Sequence, residues 1–342
     1  MRNNRKPTIK DVASKAGISP STVSNYLNKT AVVNIDTGKR IDKAIRELSY
    51  VPDGAAKSLR TGKSRIIAIV LPEISDPFYY KLVDGLEAVA YRRGYSTIIS
   101  SNQYDSAKER KQINSLLNNY IAGFIFATGG GDEDEIDEVS SYGIPYVLVD
   151  RQTSDKDVYS VEEDNYRSFY RATEYLIEKG HKDIFYITEP LVMETLKERL
   201  RAFKDAMAEN GIPIGEKNII VDDGLQLEKA RHGYDIMFEL LKERKPGAVF
   251  APSDSIIFGA MSAAVEKGYI IPEDISFMGN GNSTFAQYSN PPLTTIKQNK
   301  TKMGNAAMEM LIDLIEDKPV YSRKVVLDTN IIERASVKDL NA

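Results

Sequence analysis

The sequence predicts an α/β chain: a small all-α helix-turn-helix head, then a large body of doubly wound parallel sheet. Three observations carry this. Residues 1–65 hold 14 Lys and Arg against 5 Asp and Glu, a net of +9, which leaves 31 against 44, a net of −13, for the rest. Apolar residues in the head fall at helical spacing on both sides of Gly17. From residue 64 onward, short apolar runs alternate with helical segments, as strands joined by crossover helices do.

The head comes first along the chain. Ile9, Val12, Ala13 and Ala16 predict a short amphipathic helix over about 8–16. Gly17 stands where a helix ends in a left-handed residue. Ser19 is a suitable N-cap for a second helix and Pro20 fits its first turn. Val23 and Leu27 form the buried side of that helix, which leaves Ser21, Thr22, Ser24 and Asn25 on other faces. A third helix, roughly Asp36 to Leu48, offers Ile41, Ala44, Ile45 and Leu48 as a cover. Two helices about a tight Gly turn place the second in the major groove of DNA, where small hydroxyl and amide side chains reach bases and phosphates. The local +9 charge favours that reading over a plain helical hairpin.

A joint follows. In "PDGAAKSLRTG" (52–62), Ala55 to Arg60 read as a helix bracketed by Pro52, Gly54 and Gly62. So short a helix is marginal alone. Either it is a helix-prone spacer, or a partner and DNA support it.

In the body, "RIIAIVL" (65–71) is an apolar run typical of a strand buried on both faces. A helix over Pro77 to Arg93 follows. Further buried strands are expected at 95–100, 123–127, 146–150, 183–187, 248–251 and 275–279. Ligands of open α/β sheets bind beyond the carboxyl ends of the strands. Polar residues just after strands are therefore the site candidates: Asn102, Thr128, Asp150, Arg151, Glu189, Asp254 and Asn280.

Composition excludes several classes. A length of 342 residues predicts two or three domains. The 42% apolar and 27% charged content is that of a soluble globular protein. No apolar run nears 18 residues, so no membrane span is expected. The N-terminus "MRNNRKPTIKDV" is basic with no apolar stretch behind it, unlike a secretory signal. Cys is absent, which removes disulfides, cysteine nucleophiles and thiolate metal sites and suits a cytoplasmic protein. "GKS" (62–64) lacks the first Gly of a phosphate loop and precedes a strand. "GGG" (129–131) runs into "DEDE", which repels phosphate. His181 and His232 share no ligand-spaced cluster, so neither a metal nor a cofactor is expected. No catalytic constellation is visible.

The motifs "TIKDVA", "AGIS", "TVSNYLN" and Tyr50-x-Pro52, with "SDPFY" (75–79), "GHKDIFYI" (180–187), "ERLRAFKDAM" (198–207), "PSDSIIFGAM" (252–261) and "NPPLTTIKQ" (290–298), cover nearly the whole chain. On them the sequence resembles the LacI/GalR family of bacterial transcription regulators. The resemblance implies a head over 1–49 and a hinge helix over 50–63. It also implies a two-lobed, periplasmic-binding-protein-like core, with one lobe of 64–163 plus 294–324 and the other of 164–293 plus 325–342. Base-reading positions would be Pro20, Ser21 and Asn25, and phosphate contacts Thr8, Ser19, Thr22 and Asn28. In the hinge, Ala56, Lys57 and Leu59 would enter the minor groove, with Leu59 as a kinking wedge. Within the cleft, Arg199 and Asp254 match the family's effector-binding pair, and Phe78, with Tyr79, an aromatic wall.

These features predict no enzyme but a cytoplasmic, homodimeric repressor of a palindromic operator. Its operator affinity would respond to a small effector between the lobes, a sugar or a sugar phosphate. Arg151 is the extra cation that would suit the phosphate. The chain ends in "ERASVKDLNA" without an apolar heptad extension, so a dimer rather than a tetramer is expected. A solute-binding protein would instead show a signal peptide and no basic head. An enzyme on this scaffold would show a nucleophile, base or metal cluster in the cleft. Several positions depart from the family's pattern: Pro20 has no side-chain hydrogen bond to offer, Gly38 stands where Arg is common, and Gly281 stands where Asp is usual. Asn282 or Ser283 is expected to cap the helix that follows.

Overall fold

The computed structural model describes residues 6–28, 30–51, 64–127, 134–151 and 157–342. The chain divides into two compact units, Met1–Lys63 and Ser64–Ala342.

The first unit holds α1 (Ile9–Ala16), α2 (Pro20–Asn28) and α3 (Ile35–Leu48). Val12, Ala13, Val23, Ile41 and Ala44 form its core. These side chains are small or short, which lets three brief helices approach closely. Gly17 ends α1 with φ of 65°, a left-handed conformation that glycine adopts without penalty. Arg40 of α3 donates to the carbonyls of Ala16 and Gly17, satisfying the open end of α1. α3 starts one residue before the expected Asp36, because Asn34 accepts from the Asp36 N–H at 2.9 Å and caps it. Gly38 is buried beside the Tyr26 ring, where a Cβ would lie 3.0 Å from the ring edge. The Tyr26 hydroxyl donates to Asp42 at 2.8 Å. A larger residue at 38 would have to displace that ring.

The second unit contains two six-stranded sheets among the described residues. The first comprises β1 (Ile66–Leu71), β2 (Ser96–Ser101), β3 (Gly123–Phe126), β4 (Tyr146–Val149), β5 (Ser160–Glu163) and β11 (Lys324–Leu327), all parallel, in the order β11-β5-β4-β3-β1-β2. The second comprises β6 (Ile184–Thr188), β7 (Ile219–Val221), β8 (Ala248–Phe250), β9 (Ser276–Asn280), β10 (Thr294–Lys297) and β12 (Asn330–Ile332), in the order β12-β10-β9-β8-β6-β7. Only β12 runs antiparallel to its neighbour. The two orders correspond, so the lobes share one strand order and differ in the direction of the last strand.

Helices α4 (Pro77–Arg93), α5 (Ser106–Leu117), α6 (Asp134–Ser141) and α11 (Lys300–Ile315) belong to the first lobe. Helices α7 (Asn165–Glu178), α8 (Glu194–Glu209), α9 (Lys229–Glu243) and α10 (Asp254–Glu266) belong to the second. Each lobe has one unusually close helix pair. A Cβ on Gly85 of α4 would lie 2.3 Å from the Thr301 carbonyl oxygen of α11, and one on Gly304 2.3 Å from that of Leu82. In the other lobe Gly233 of α9 and Gly259 of α10 do the same against Ile256 and Ala230. The backbones touch because neither glycine presents a side chain.

Three points differ from expectation. β10 belongs to the second sheet, so the chain returns to the first lobe between Lys297 and Lys300, not at 293–294. β11 belongs to the first sheet, so the last crossing lies between Leu327 and Asn330, not at 325. The first crossing, at Asp164, lies where β5 ends and α7 begins. The run 95–100, expected to be a buried strand, is an edge strand whose Ile98 and Ile99 stay over a third exposed. The hinge residues, Ala56, Lys57 and Leu59 among them, lie outside the described residues.

Candidate nucleic-acid interface and ligand cleft

Helix α2 presents the head's candidate readers. Ser19 N-caps it: its hydroxyl accepts from the Thr22 N–H at 3.1 Å and pairs with the Ser21 and Thr22 hydroxyls at 2.7 and 2.8 Å. Pro20 and Ser21 in the first turn and Asn25 one turn on are exposed, while Val23 between them is fully buried. The Asn25 carbonyl accepts from the Thr30 hydroxyl at 3.2 Å, and among the described residues its amide donates to no partner. Asn28 is turned back, donating to the Ser24 carbonyl at 2.8 Å. Thr8 donates its N–H and hydroxyl to Asp11, both at 2.7 Å, at the start of α1. A row of hydroxyls and one amide on a capped helix end thus faces outward from a basic unit. The helix N-terminus adds partial positive charge there.

The cleft between the two sheets is built from the ends of their strands and the starts of the helices that follow. Asp76 caps α4, accepting from the Phe78 N–H at 2.7 Å, and so sets Phe78 and Tyr79 on the cleft wall. The two rings meet edge to face at 5.1 Å. Asp150 follows β4 at φ of 49°. Its carboxylate lies 3.4 Å from the Asn165 amide and 3.6 Å from the Arg199 guanidinium. Arg199 Nε donates to the Asn165 carbonyl at 2.7 Å. A buried chain of three side chains therefore joins the first lobe to the second. Burial raises the Asp150 carboxyl above its ordinary range, against the opposing pull of Arg199 and Asn165.

Asp254 opens α10. Its two oxygens accept from the Thr295 hydroxyl at 2.6 Å and the Ser283 N–H at 2.7 Å. Burial pushes this carboxyl up as well. Lys300, the first residue of α11, donates to the Gly281 carbonyl at 2.7 Å, and burial lowers its ammonium. A Cβ on Gly281 would lie 3.2 Å from Lys300 Nζ and 3.6 Å from the Asp254 carboxylate. A side chain at 281 would thus reach the cleft, and here the space goes to the Lys300 ammonium. Neither expected cap forms: Asn282 accepts from Arg334 at 2.6 Å, and the Ser283 side chain makes no cap bond.

The structure brings together Phe78, Asp150, Glu189, Arg199, Asp254 and Asn280 along one cavity. Asn280 donates to the Pro252 carbonyl at 3.0 Å. Asn102 does not line that cavity: its amide donates to Glu109 at 2.5 Å and its carbonyl accepts from the Tyr104 N–H. Arg151 is buried and does not line it either, so the cation expected to suit a phosphate lies elsewhere. Thr128 lies outside the described residues. Four cleft groups escaped the sequence reading: Asp76, Tyr104, Lys229 and Lys300. Asp76 and Lys229 stand at helix starts, not strand ends, and Lys300 follows β10, which the sequence did not reveal.

One more group sits at the crossings. Glu163, the last residue of β5, accepts from the Asn299 N–H at 2.9 Å and the Gln298 amide at 3.0 Å. It ties the first crossing to the second. Burial, helped by the neighbouring Asp150, pushes its carboxyl up to about 7.

Both units find counterparts among known proteins. Residues 8–53 match the family described as bacterial regulatory proteins, lacI family, and residues 173–337 match a periplasmic binding protein-like domain. The HTH-type transcriptional repressor PurR of Vibrio atlanticus (strain LGP32) is 34% identical over 335 residues, covering 98% of this chain and 99% of that one.

The chain belongs to the lacI family.

A Lac repressor dimer bound to operator and an anti-inducer shares the fold, with a TM-score of 0.85 at 24% identity over 98% of this chain and 100% of that one. A LacI family regulator from Enterococcus faecium with bound ribose is 28% identical, with a TM-score of 0.72, over 80% of this chain and 99% of that one. This chain is accordingly a DNA-binding transcriptional regulator of the lacI family and not an enzyme. Among the described residues no helix is long and apolar enough to cross a membrane. No cluster of metal-ligating side chains occurs among them.

Proposed function

We propose that this lacI-family protein is a repressor that binds a palindromic operator as a homodimer. A small ligand, a sugar, in the interlobe cleft would control its affinity. The observation that carries the ligand half is the Phe78 and Tyr79 wall beside Asp150, Arg199 and Asp254. An apolar ring face suits the axial C–H face of a sugar, and the charged groups accept from and donate to its hydroxyls. The ribose bound to the Enterococcus relative supports the class. A free phosphate group is less suited, because Arg199 already lies beside Asp150 and Lys229 beside Asp76 and Glu189.

A planar nitrogen heterocycle, such as a purine base, is the second reading. A relative matched over the whole chain is named PurR, and a flat ring would stack on Phe78 with its N–H groups toward Asp150. A thermal-shift screen of neutral sugars, sugar phosphates and purine bases separates the readings. A ligand at a hundred times its Kd adds about 2.7 kcal/mol of stability. A shift by purines and by no sugar would overturn the first reading. For the head, Asn25→Ala and Ser21→Ala in the full chain should weaken operator binding and leave the ligand shift unchanged.

A further inference from the structure

Resting on the reading of the cleft as a ligand site, we propose that Asp76 and Glu189 form a primary-ammonium site on its wall. Lys229 fills that site as a tethered occupant and thereby clasps the lobes, and an effector bearing a primary amine would take its place. Asp76 belongs to the first lobe, at the start of α4. Glu189 and Lys229 belong to the second, after β6 and at the start of α9. Lys229 Nζ lies 2.5 Å from an Asp76 oxygen and 3.2 Å from Glu189 Oε1. The side chains of the three are each exposed by about a tenth or less.

Two observations mark this as a site for a cation and not a chance surface pair. The second Glu189 oxygen, Oε2, is buried with no hydrogen-bond partner among the described residues. An ammonium has three donors, so a ligand amine could bond Asp76 and both Glu189 oxygens. The geometry also already binds an ammonium: burial alone would lower Lys229, yet Asp76 and Glu189 outweigh it and raise it well above the ordinary lysine value. Asp76 is correspondingly lowered, against its burial, by Lys229. Tyr104, on the same wall, is pushed up to about 12, mainly by burial, and stays a neutral donor.

Lys229 is replaceable because it opens α9 beside exposed Leu227 and Glu228, so its stem can swing to solvent while the helix stays in place. Its departure would cut the ion pair that spans the cleft. A competing amine would keep both carboxylates paired without the covalent tie to α9. The lobes would then be joined through the ligand's amine, and α9 would be released at its first residue.

The test uses the full chain, with methylammonium chloride as the probe and sodium chloride at equal ionic strength as the control. Lys229→Met should speed amide exchange at the start of α4 about tenfold in sodium chloride. Methylammonium should return it toward the wild-type rate. In the wild type, excess methylammonium should leave those amides slow but speed the ones at the start of α9, which Lys229 no longer ties down, where sodium does not. The double variant Asp76→Asn/Lys229→Met, which leaves one fewer buried charge, should exchange fast in both salts. If Lys229→Met does not fold, the wild-type competition and the double variant decide alone. Wild-type rates in Lys229→Met, or identical behaviour in the two salts, would overturn the proposal. No operator or sugar enters the measurement, so its failure leaves the proposed function standing, and a failed sugar screen leaves the clasp standing.

Discussion

The head and the cleft carry similar polar side chains and use them in opposite ways. On α2, Ser21 and Asn25 stand on the surface of a helix whose other face, at Val23, is fully buried. Their positions follow from the 3.6-residue period, and their removal touches no core. In the cleft, Asp76, Asp150, Glu163 and Asp254 are each committed to a partner from a distant part of the chain. There the polar groups hold the fold together and, on the proposed function, would also meet the ligand. Substitutions in the head should therefore separate binding from stability, and substitutions in the cleft should not.

The largest test of that contrast is Asp254→Ala. It strands the Thr295 hydroxyl and the Ser283 N–H in a buried site, each at a penalty of about 1–3 kcal/mol. We expect a loss of about 4 kcal/mol in stability together with loss of the ligand response. Denaturant unfolding and a ligand thermal shift measure both. Asp254→Asn keeps one acceptor and should fall between. A fully stable Asp254→Ala protein would erase the contrast.

Next is pH. Glu163 binds its proton more tightly folded, near 7, than unfolded, near 4.5. Its stabilising share is therefore fully present below about 4.5 and is lost as pH rises through 7, a change of roughly 3 kcal/mol at 1.36 per unit. Glu163→Gln removes that dependence, so its stability should fall less than the wild type's between pH 5 and 8. Parallel curves for the two proteins would show that Glu163 ionises normally.

Asn25→Ala is the head's counterpart. Its one side-chain bond among the described residues is an exposed one from the Thr30 hydroxyl, so stability should change by less than about 0.5 kcal/mol. If it reads a base edge, operator discrimination should fall by about 1–3 kcal/mol. Titrating matched and single-mismatch operators at fixed salt gives the number.

What the sequence made legible follows the same division. The helices of the head and the strand from 66 to 71 rest on local signals: apolar period, Gly17 as a stop and Ser19 as a cap. The strands that went unseen are β5, β7, β10, β11 and β12. β5 reads "SVEE" yet is wholly buried, because Glu162 pairs with Lys324 and Glu163 bonds to the crossing at 298–299. No local pattern announces a strand whose carboxylates are satisfied from some 135 to 160 residues away. Missing β10 and β11 moved two of the three crossings, and Lys300 with them. Lys229 was hidden for a related reason: its partner Asp76 lies in the other lobe, 153 residues earlier.

Ser19 sets the smallest expected effect, and the most informative about the head. It caps α2 and is the phosphate contact that the family resemblance implies, a role proposed for it here, so one substitution cannot tell the two roles apart. Ser19→Ala removes the cap bond to the Thr22 N–H and should cost the head about 1 kcal/mol. Ser19→Gly should cost only a few tenths, because glycine is a tolerated cap. Ser19→Asp keeps an acceptor at the same place and adds a negative charge that favours the helix N-terminus. If phosphate lies against this residue, Ser19→Asp should hold the stability of α2, read by amide exchange in the full chain, while operator affinity drops for all sequences alike. A uniform drop, with discrimination between operators unchanged, identifies a backbone contact and not a base reader. Unchanged operator affinity in Ser19→Asp would confine Ser19 to its cap and leave the phosphate side of α2 to Thr22.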